Sequence, residues 1–378
     1  MTVSVLHSSG NGWKALPVQH PCDKSAAQLV LCFAGKYFPG YPTLYKSLQA
    51  DFPAAQVVLC STAGEIAGTS VYDNSAVVAA FHFERAGIRA AAINSRDYKN
   101  SYEAAHALAD YFPTKELSYV LIISDGSLVN GSELVKGLQV ALPGVLVTGG
   151  LAGDGADFIS TDVGLNAKPG PGTIVAVGFY GKKLVVTHGS KGGWDSFGLE
   201  KEITRSHENI LYEIDNENAL DLYKKYLGPD ADRLPGSALL FPIAVTLPGA
   251  RQPVVRTILK LDDTARSMTF AGDVPVGSTI RFMRANFDAL TMAASAAAGF
   301  TLMDARRPDF SLLISCVGRK LALGPRVDEE VEAVKDAFGI DVPMAGFYSY
   351  GEISPFNDGG GCQLHNQTMT ITSFYELP

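Results

Sequence analysis

Two short phrases near opposite ends of the chain carry residue types that could do chemistry. One is Cys60-Ser61-Thr62-Ala63-Gly64-Glu65-Ile66, the other Tyr348-Ser349-Tyr350-Gly351-Glu352-Ile353. Each follows an apolar run, at 56–59 and 342–347, so each reads as a strand ending in a tight turn that presents hydroxyls, a glycine and a carboxylate. Ligands of α/β sheets lie outside the carboxyl ends of strands. A carboxylate placed there accepts hydrogen bonds from an amine or a polar ligand edge, and two facing carboxylates share a proton with one pKa raised. The alternative is local: Glu65 and Glu352 bond nearby backbone groups and pin their own turns. Ser61, Thr62 and Ser349 are hydroxyl donors in the same turns.

Other constellations are weaker. Gly149-Gly150-Leu151-Ala152-Gly153-Asp154 follows a strand and offers backbone N–H groups, as anion-binding nests do. No helical pattern follows it, so it is not a dinucleotide fingerprint, and a pocket-wall role suits Gly150 better than phosphate binding. There is no G-x-x-x-x-G-K-S/T loop and no G-x-S-x-G elbow. The seven histidines show no zinc-ligand spacing. Haem needs only one proximal ligand. His188, beside the loop Gly189-Ser190-Lys191-Gly192-Gly193-Trp194, and His365, close to the second phrase, are the histidines that could supply it. A lone histidine is otherwise a hydrogen-bonded structural residue. Nothing amounts to a catalytic constellation, which leaves an unrecognised hydrolase or transferase as a remote alternative to a non-enzymatic protein.

The elements that must position these residues follow from apolar periodicity. Continuous apolar runs at 29–34, 119–124 and 310–316 read as strands buried on both faces. Helical spacing appears at 41–52, 101–112 (with Ser101 as cap), 131–142, 218–227, 287–298 and 328–338. Further strands are expected at 3–7, 57–61, 76–82, 88–93, 145–148, 238–246, 254–261, 268–271 and 368–375. Strands at 174–180 and 184–187, joined by Gly181-Lys182-Lys183, suit an antiparallel hairpin. The fold class is therefore α/β: two related, intertwined halves with mixed, largely buried sheets and flanking helices. A turn-rich stretch at 228–236 is the best boundary signal. It divides a lead-in segment (1–28) and a first domain (29–228) from a second domain (229–378).

At 378 residues, 47% hydrophobic and 19% charged, the chain can bury a sizeable core. A net charge of -8 with scattered lysines and arginines argues against a nucleic-acid partner. No secretion signal and no apolar stretch of about 18 residues is visible, so neither export nor membrane insertion is expected. Five dispersed cysteines, Cys22, Cys32, Cys60, Cys316 and Cys362, fit a reduced cytoplasm, with Cys32, Cys60 and Cys316 acting as small strand hydrophobes.

Residues 57–66, the Gly149–Asp154 run, Gly193-Trp194, the phrase at 346–353 and Leu364-His365-Asn366-Gln367-Thr368, in this order, resemble the FIST family over nearly the whole chain. The resemblance implies an intracellular sensory protein with an N-terminal and a C-terminal part. It also implies a small ligand held by Ser61, Thr62, Gly64, Glu65, Gly150, Trp194, Tyr348, Ser349, Tyr350, Gly351 and Glu352. One version implied by the family is haem-based nitric oxide sensing; another is binding of an amino acid or similar metabolite. With no output segment of its own, such a chain would signal through a separate partner, a histidine kinase or a cyclic-di-nucleotide enzyme.

Overall fold

The computed structural model describes residues 1–234, 236–304, 306–339, 342–356 and 361–378. Its first six-stranded sheet holds β1 (Thr2–Ser8), β2 (Lys14–Ala15), β3 (Leu29–Ala34), β4 (Gln56–Ser61) and β7 (Ala76–His82), with α1 (Tyr41–Asp51) crossing from β3 to β4. Between β4 and β7 the chain leaves the sheet as a hairpin, β5 (Glu65–Ala67) and β6 (Ser70–Tyr72). The second sheet repeats the order: β8 (Gly87–Asn94), α2 (Ser101–Ala109), β9 (Leu117–Ser124), α3 (Gly131–Ala141), β10 (Leu146–Leu151), an excursion through β11 (Val163–Leu165), and β12 (Thr173–Tyr180). The third begins with β13 (Leu184–Lys191) and resumes after an insertion.

That insertion is a unit with its own core. It comprises β14 (Asp195–His207), β15 (Ile210–Ile214), β16 (Glu217–Asn218), α4 (Ala219–Leu227), β17 (Ile243–Thr246), β18 (Val254–Arg256), β19 (Ile258–Asp262), β20 (Ser267–Phe270) and β21 (Thr279–Arg284). Leu220, Tyr223, Phe270 and Phe282 pack at its centre. The turn-rich stretch from Gly228 lies inside this unit, closing α4; Pro235, in the same stretch, is outside the described residues. The third repeat then continues through α5 (Phe287–Thr301), β22 (Phe310–Cys316), α6 (Val317–Leu323), α7 (Val327–Phe338), β23 (Met344–Ser349), an excursion through β24 (Gly351–Pro355) and β25 (Cys362–His365), and β26 (Met369–Glu376).

Each sheet thus contains the same pairing. A central strand (β3, β9 or β22) lies parallel to the strand after its crossover helix (β4, β10 or β23) and antiparallel to the returning strand (β7, β12 or β26). The excursions exchange cyclically. β5 pairs with β23 of the third sheet, β11 with β4 of the first, and β24 with β10 of the second. The parts are intertwined as expected, and the recurrence runs to three. Val5, Phe33, Leu121, Phe179, Leu312 and Phe347 from all three sheets share one central core, while the helices cover outer faces. Phe33 stacks on Phe347 at 4.9 Å across two sheets; each such buried side chain contributes about 1.5–3 kcal/mol.

Two local expectations are corrected. Gly181-Lys182-Lys183 does not close a hairpin: β12 pairs with β8 and β9, whereas β13 pairs with β26. The short link instead steps from one sheet to the next. The cap of α2 is Asn100, whose side chain accepts from the Glu103 N–H; Ser101 is the first helical residue.

Close strand approach places one severe constraint. A Cβ added at Gly346 would lie 1.7 Å from the Leu313 carbonyl oxygen, a backbone atom that cannot swing away. Gly346→Ala is expected to destabilise the protein by about 3 kcal/mol or more by forcing β22 and β23 apart. A guanidinium unfolding curve checks this; an unchanged midpoint would contradict it.

Candidate functional site

The two phrases fold into equivalent turns, and their carboxylates turn inward. Glu65 is fully buried; it accepts from the Thr62 hydroxyl, from the Ser75 N–H at 2.9 Å and from the Ser75 hydroxyl at 2.8 Å. Glu352, also fully buried, accepts from the Ser349 hydroxyl at 2.6 Å, the Thr368 N–H at 3.2 Å and the Thr368 hydroxyl at 2.9 Å. Ser75 and Thr368 immediately precede the returning strands β7 and β26. In the second repeat Asp125, at the end of β9, accepts from the Gly172 N–H at 2.9 Å just before β12. One buried carboxylate therefore fastens the entry of the returning strand in every repeat. Burial pushes Glu65 up to about 7 and Glu352 up to about 8, against the lowering effect of these hydrogen bonds.

This geometry separates residues that were expected to share a ligand. Glu65, Thr62 and Gly64 border a very small space near Asp73 and Asp154, whereas Glu352 lines none of the three large cavities. The Ser61 hydroxyl accepts from the Asp162 N–H at 2.9 Å. Gly150 and Gly351 are buried members of β10 and β24, where Gly150 pairs with Glu352. Tyr348 is fully buried and donates to Glu330 at 2.5 Å. The hydrogen bonds of Glu65 and Glu352 are of the local kind, each carboxylate serving its own turn and the strand that follows.

His188, His365 and the Trp194 loop do come together. A cavity of about 390 Å³ lies at the seam between the three-sheet body and the insertion. The end of β13 supplies Ser190 and Lys191, followed by Gly192; β25 supplies His365, and Thr368 enters just before β26. Phe300 near the end of α5 and Phe356 after β24 add aromatic walls, and Gln252, Pro253 and Val255 close it from the insertion. Trp194 anchors the loop by donating its indole N–H to the Gln367 carbonyl at 2.8 Å. Gly193 beside it has φ +83°, and a Cβ there would meet the Ala289 carbonyl oxygen at 2.4 Å, so only glycine fits.

His365 is nearly fully buried, with Nε2 3.0 Å from the Ser354 carbonyl oxygen, which sets Nε2 as the protonated nitrogen. Its ring meets Phe356 edge-on at 5.1 Å. Burial, with Arg256 and His188 adding to it, pushes its pKa down to about 4, so it is neutral at physiological pH. His188 is a neighbour whose pKa is also lowered by burial, and its buried Nδ1 has no hydrogen-bond partner among the described residues. The site is thus a neutral, partly aromatic pocket with one exposed cation, Lys191, at its edge. Among the described residues no three His, Cys, Asp or Glu side chains are placed to hold a metal ion. All five cysteines are free and buried.

Sequence reasoning did not single out Phe300, Phe356 or the insertion residues Gln252, Pro253 and Val255. Their signals are ordinary apolar and turn residues, and only the docking of the insertion on β25 gives them a common wall. Among the described residues, no helix is long and apolar enough to cross a membrane.

Comparison with known proteins gives two adjoining family segments, whose junction falls within the insertion. The chain matches the FIST N domain over residues 28–217 and the FIST C domain over residues 219–355. It is 23% identical over 344 residues to uncharacterized protein Rv0628c of Mycobacterium tuberculosis, covering 88% of this chain and 87% of that one. It is 24% identical over 270 residues to uncharacterized protein Mb0898c of Mycobacterium bovis, covering 68% and 67%.

Proposed function

The chain belongs to the FIST family, and from that premise we propose that it is a ligand-binding sensory protein whose ligand occupies the seam cavity beside His365. The ligand is a small metabolite with an anionic group and a compact apolar part, of amino-acid size. One observation carries this reading: the cavity of about 390 Å³ draws its walls from both sides of the seam, the three-sheet body and the insertion, with a neutral His365 edge, two phenylalanines and Lys191. Lys191 attracts the anion, His365 and Thr368 fix the polar edge, and Phe300 and Phe356 cover the apolar part. A ligand touching both body and insertion would hold them in one orientation. That is a change a separate signalling partner can read.

The haem version fits the same residues less well. A proximal histidine must present a free ring nitrogen to the iron. The Nε2 of His365 is committed to Ser354, and the surrounding Ser190, Lys191, Gln252 and Thr368 suit a small polar molecule rather than a macrocycle. An absorption spectrum of the protein titrated with haem discriminates: a stoichiometric Soret band altered by His188→Ala or His365→Ala would favour haem, and a flat response would leave the metabolite.

The direct test is thermal stabilisation by a panel of amino acids and small carboxylates. A true ligand at a hundredfold excess over its dissociation constant stabilises by about 2.7 kcal/mol. Phe356→Ala and Lys191→Ala are each expected to weaken binding by about tenfold. Undiminished stabilisation in the double variant would place the ligand elsewhere.

A further inference from the structure

A second and larger cleft, of about 560 Å³, opens on the other side of the contact between β18 and β25. Successive residues of a strand face opposite ways. Accordingly His365 and Val255 line the first cavity, while Leu364 packs toward Gly131 beside the second and Arg256 toward its lining residue Gly272. Arg256 donates to the Leu364 carbonyl at 2.9 Å and so fastens the insertion between the two.

The two walls of this cleft differ in kind. The body wall carries, beside Ser127 and Asn130, a group of exposed large hydrophobes: Ile159 at 78%, Leu128 at 49% and Phe158 at 36%, with Leu259 at 44% from the insertion. Exposed large hydrophobes that gather around one cavity mark a binding site. Phe158 is also held in a strained backbone, φ +54°, which bulky residues rarely adopt. The Asp154 carboxylate imposes it by accepting from the N–H groups of Phe158, Ile159 and Ser160 at 2.8–2.9 Å. Tyr350 donates to the same carboxylate, and its ring stacks on Phe158 at 4.6 Å and 18°. Strain maintained by such a network presents one aromatic face outward. The insertion wall is polar, with Glu208, Asn209 and Lys260; the Asn209 Nδ2 donates to the Phe270 carbonyl at 2.8 Å, which leaves its Oδ1 to accept.

We propose that this cleft is a second ligand site, which takes a flat heteroaromatic molecule of nucleobase or indole size. The ring lies against Phe158 and the exposed aliphatic residues, and its polar edge meets Asn209, Glu208 and Lys260. The site is independent of the cavity beside His365.

The test uses the full chain and the fluorescent probe 1-anilinonaphthalene-8-sulfonate, with adenosine and indole-3-acetate as competitors and ribose as the non-aromatic control. One probe is expected to bind per chain. At least one of the two aromatic competitors should displace it, and ribose should not. Phe158→Asn keeps a residue type that tolerates the left-handed backbone, and Ile159→Ser alters a largely exposed side chain; each is expected to weaken probe binding at least tenfold. Lys115→Ala, at an exposed position outside both cavities, should leave it unchanged. If Phe158→Asn does not fold, Ile159→Ser and Leu259→Ser decide alone. Displacement by neither aromatic competitor, unchanged affinity in these variants, or self-association abolished by Ile159→Ser would overturn the proposal, the last by assigning the face to a second copy of the chain.

Discussion

Replacing Arg319 by methionine is expected to destabilise the protein by about 3–5 kcal/mol, the range for removing one partner of a buried ion pair. Arg319 and Glu330 are both fully buried, with NH2 to Oε2 at 2.7 Å and Nε to Oε2 at 3.0 Å. The same guanidinium donates to the Leu290 carbonyl at 2.9 Å and to the Gly192 carbonyl. Glu330 in turn accepts from Ser315 at 3.1 Å and from Tyr348 at 2.5 Å. Five elements of the third repeat (α5, β22, α6, α7 and β23) and the loop of the seam cavity therefore meet on one charge pair. Without Arg319, Glu330 is a buried charge with only two hydroxyl donors, and two buried carbonyls lose their donor. A paired Arg319→Met, Glu330→Leu variant removes the stranded charge and is expected to recover part of the loss. Recovery stays incomplete because the carbonyls of Leu290 and Gly192 lose the guanidinium donor. Guanidinium unfolding of the two variants checks this. A loss below about 1 kcal/mol for Arg319→Met would contradict it.

Glu352 gives the largest expected pH effect. Its carboxyl is held up to about 8 by burial, against an ordinary value of 4.5. Between these values the folded protein keeps the proton and the unfolded chain releases it. The unfolded state then binds fewer protons, so stability falls as pH rises through the window. From pH 5.5 to 8.5 the contribution amounts to on the order of 3 kcal/mol. Glu65, pushed up to about 7, acts in the same direction over a narrower window. Glu352→Gln keeps an acceptor for the Thr368 N–H, places an amide beside the Ser349 hydroxyl, which then accepts instead of donating, and cannot titrate. Its stability is therefore expected to decline less with pH than that of the wild type, and to exceed it at pH 8.5. Parallel urea titrations at the two pH values check this; identical pH slopes for the two proteins would show that Glu352 is ionised throughout.

Much of the secondary structure was legible. The apolar runs of β3, β9 and β22 are buried along their whole or nearly whole length, and the helices begin within a residue or so of the expected positions. The short excursions β5, β6, β11 and β24 were less legible, because three to five residues carry too little periodicity to announce a partner. The turn phrases were recognised, but the direction in which their carboxylates face was not legible. Ser-x-x-Glu at a strand end has the same composition whether the carboxylate faces a ligand or the N–H that opens the next strand.

The sequence by itself determined the α/β class, the buried strands and the family, since each depends on local periodicity or on an ordered set of short motifs. The tertiary structure alone decided the rest: the cyclic exchange of excursions among three sheets, the inward turn of Glu65 and Glu352, and the two cavities flanking the β18–β25 contact. These depend on which surfaces meet across hundreds of residues. Gln252, Phe300, Phe356 and His365 become one wall only when the insertion docks, because the burial gained there outweighs the entropy of ordering the connections, and no local pattern encodes that balance.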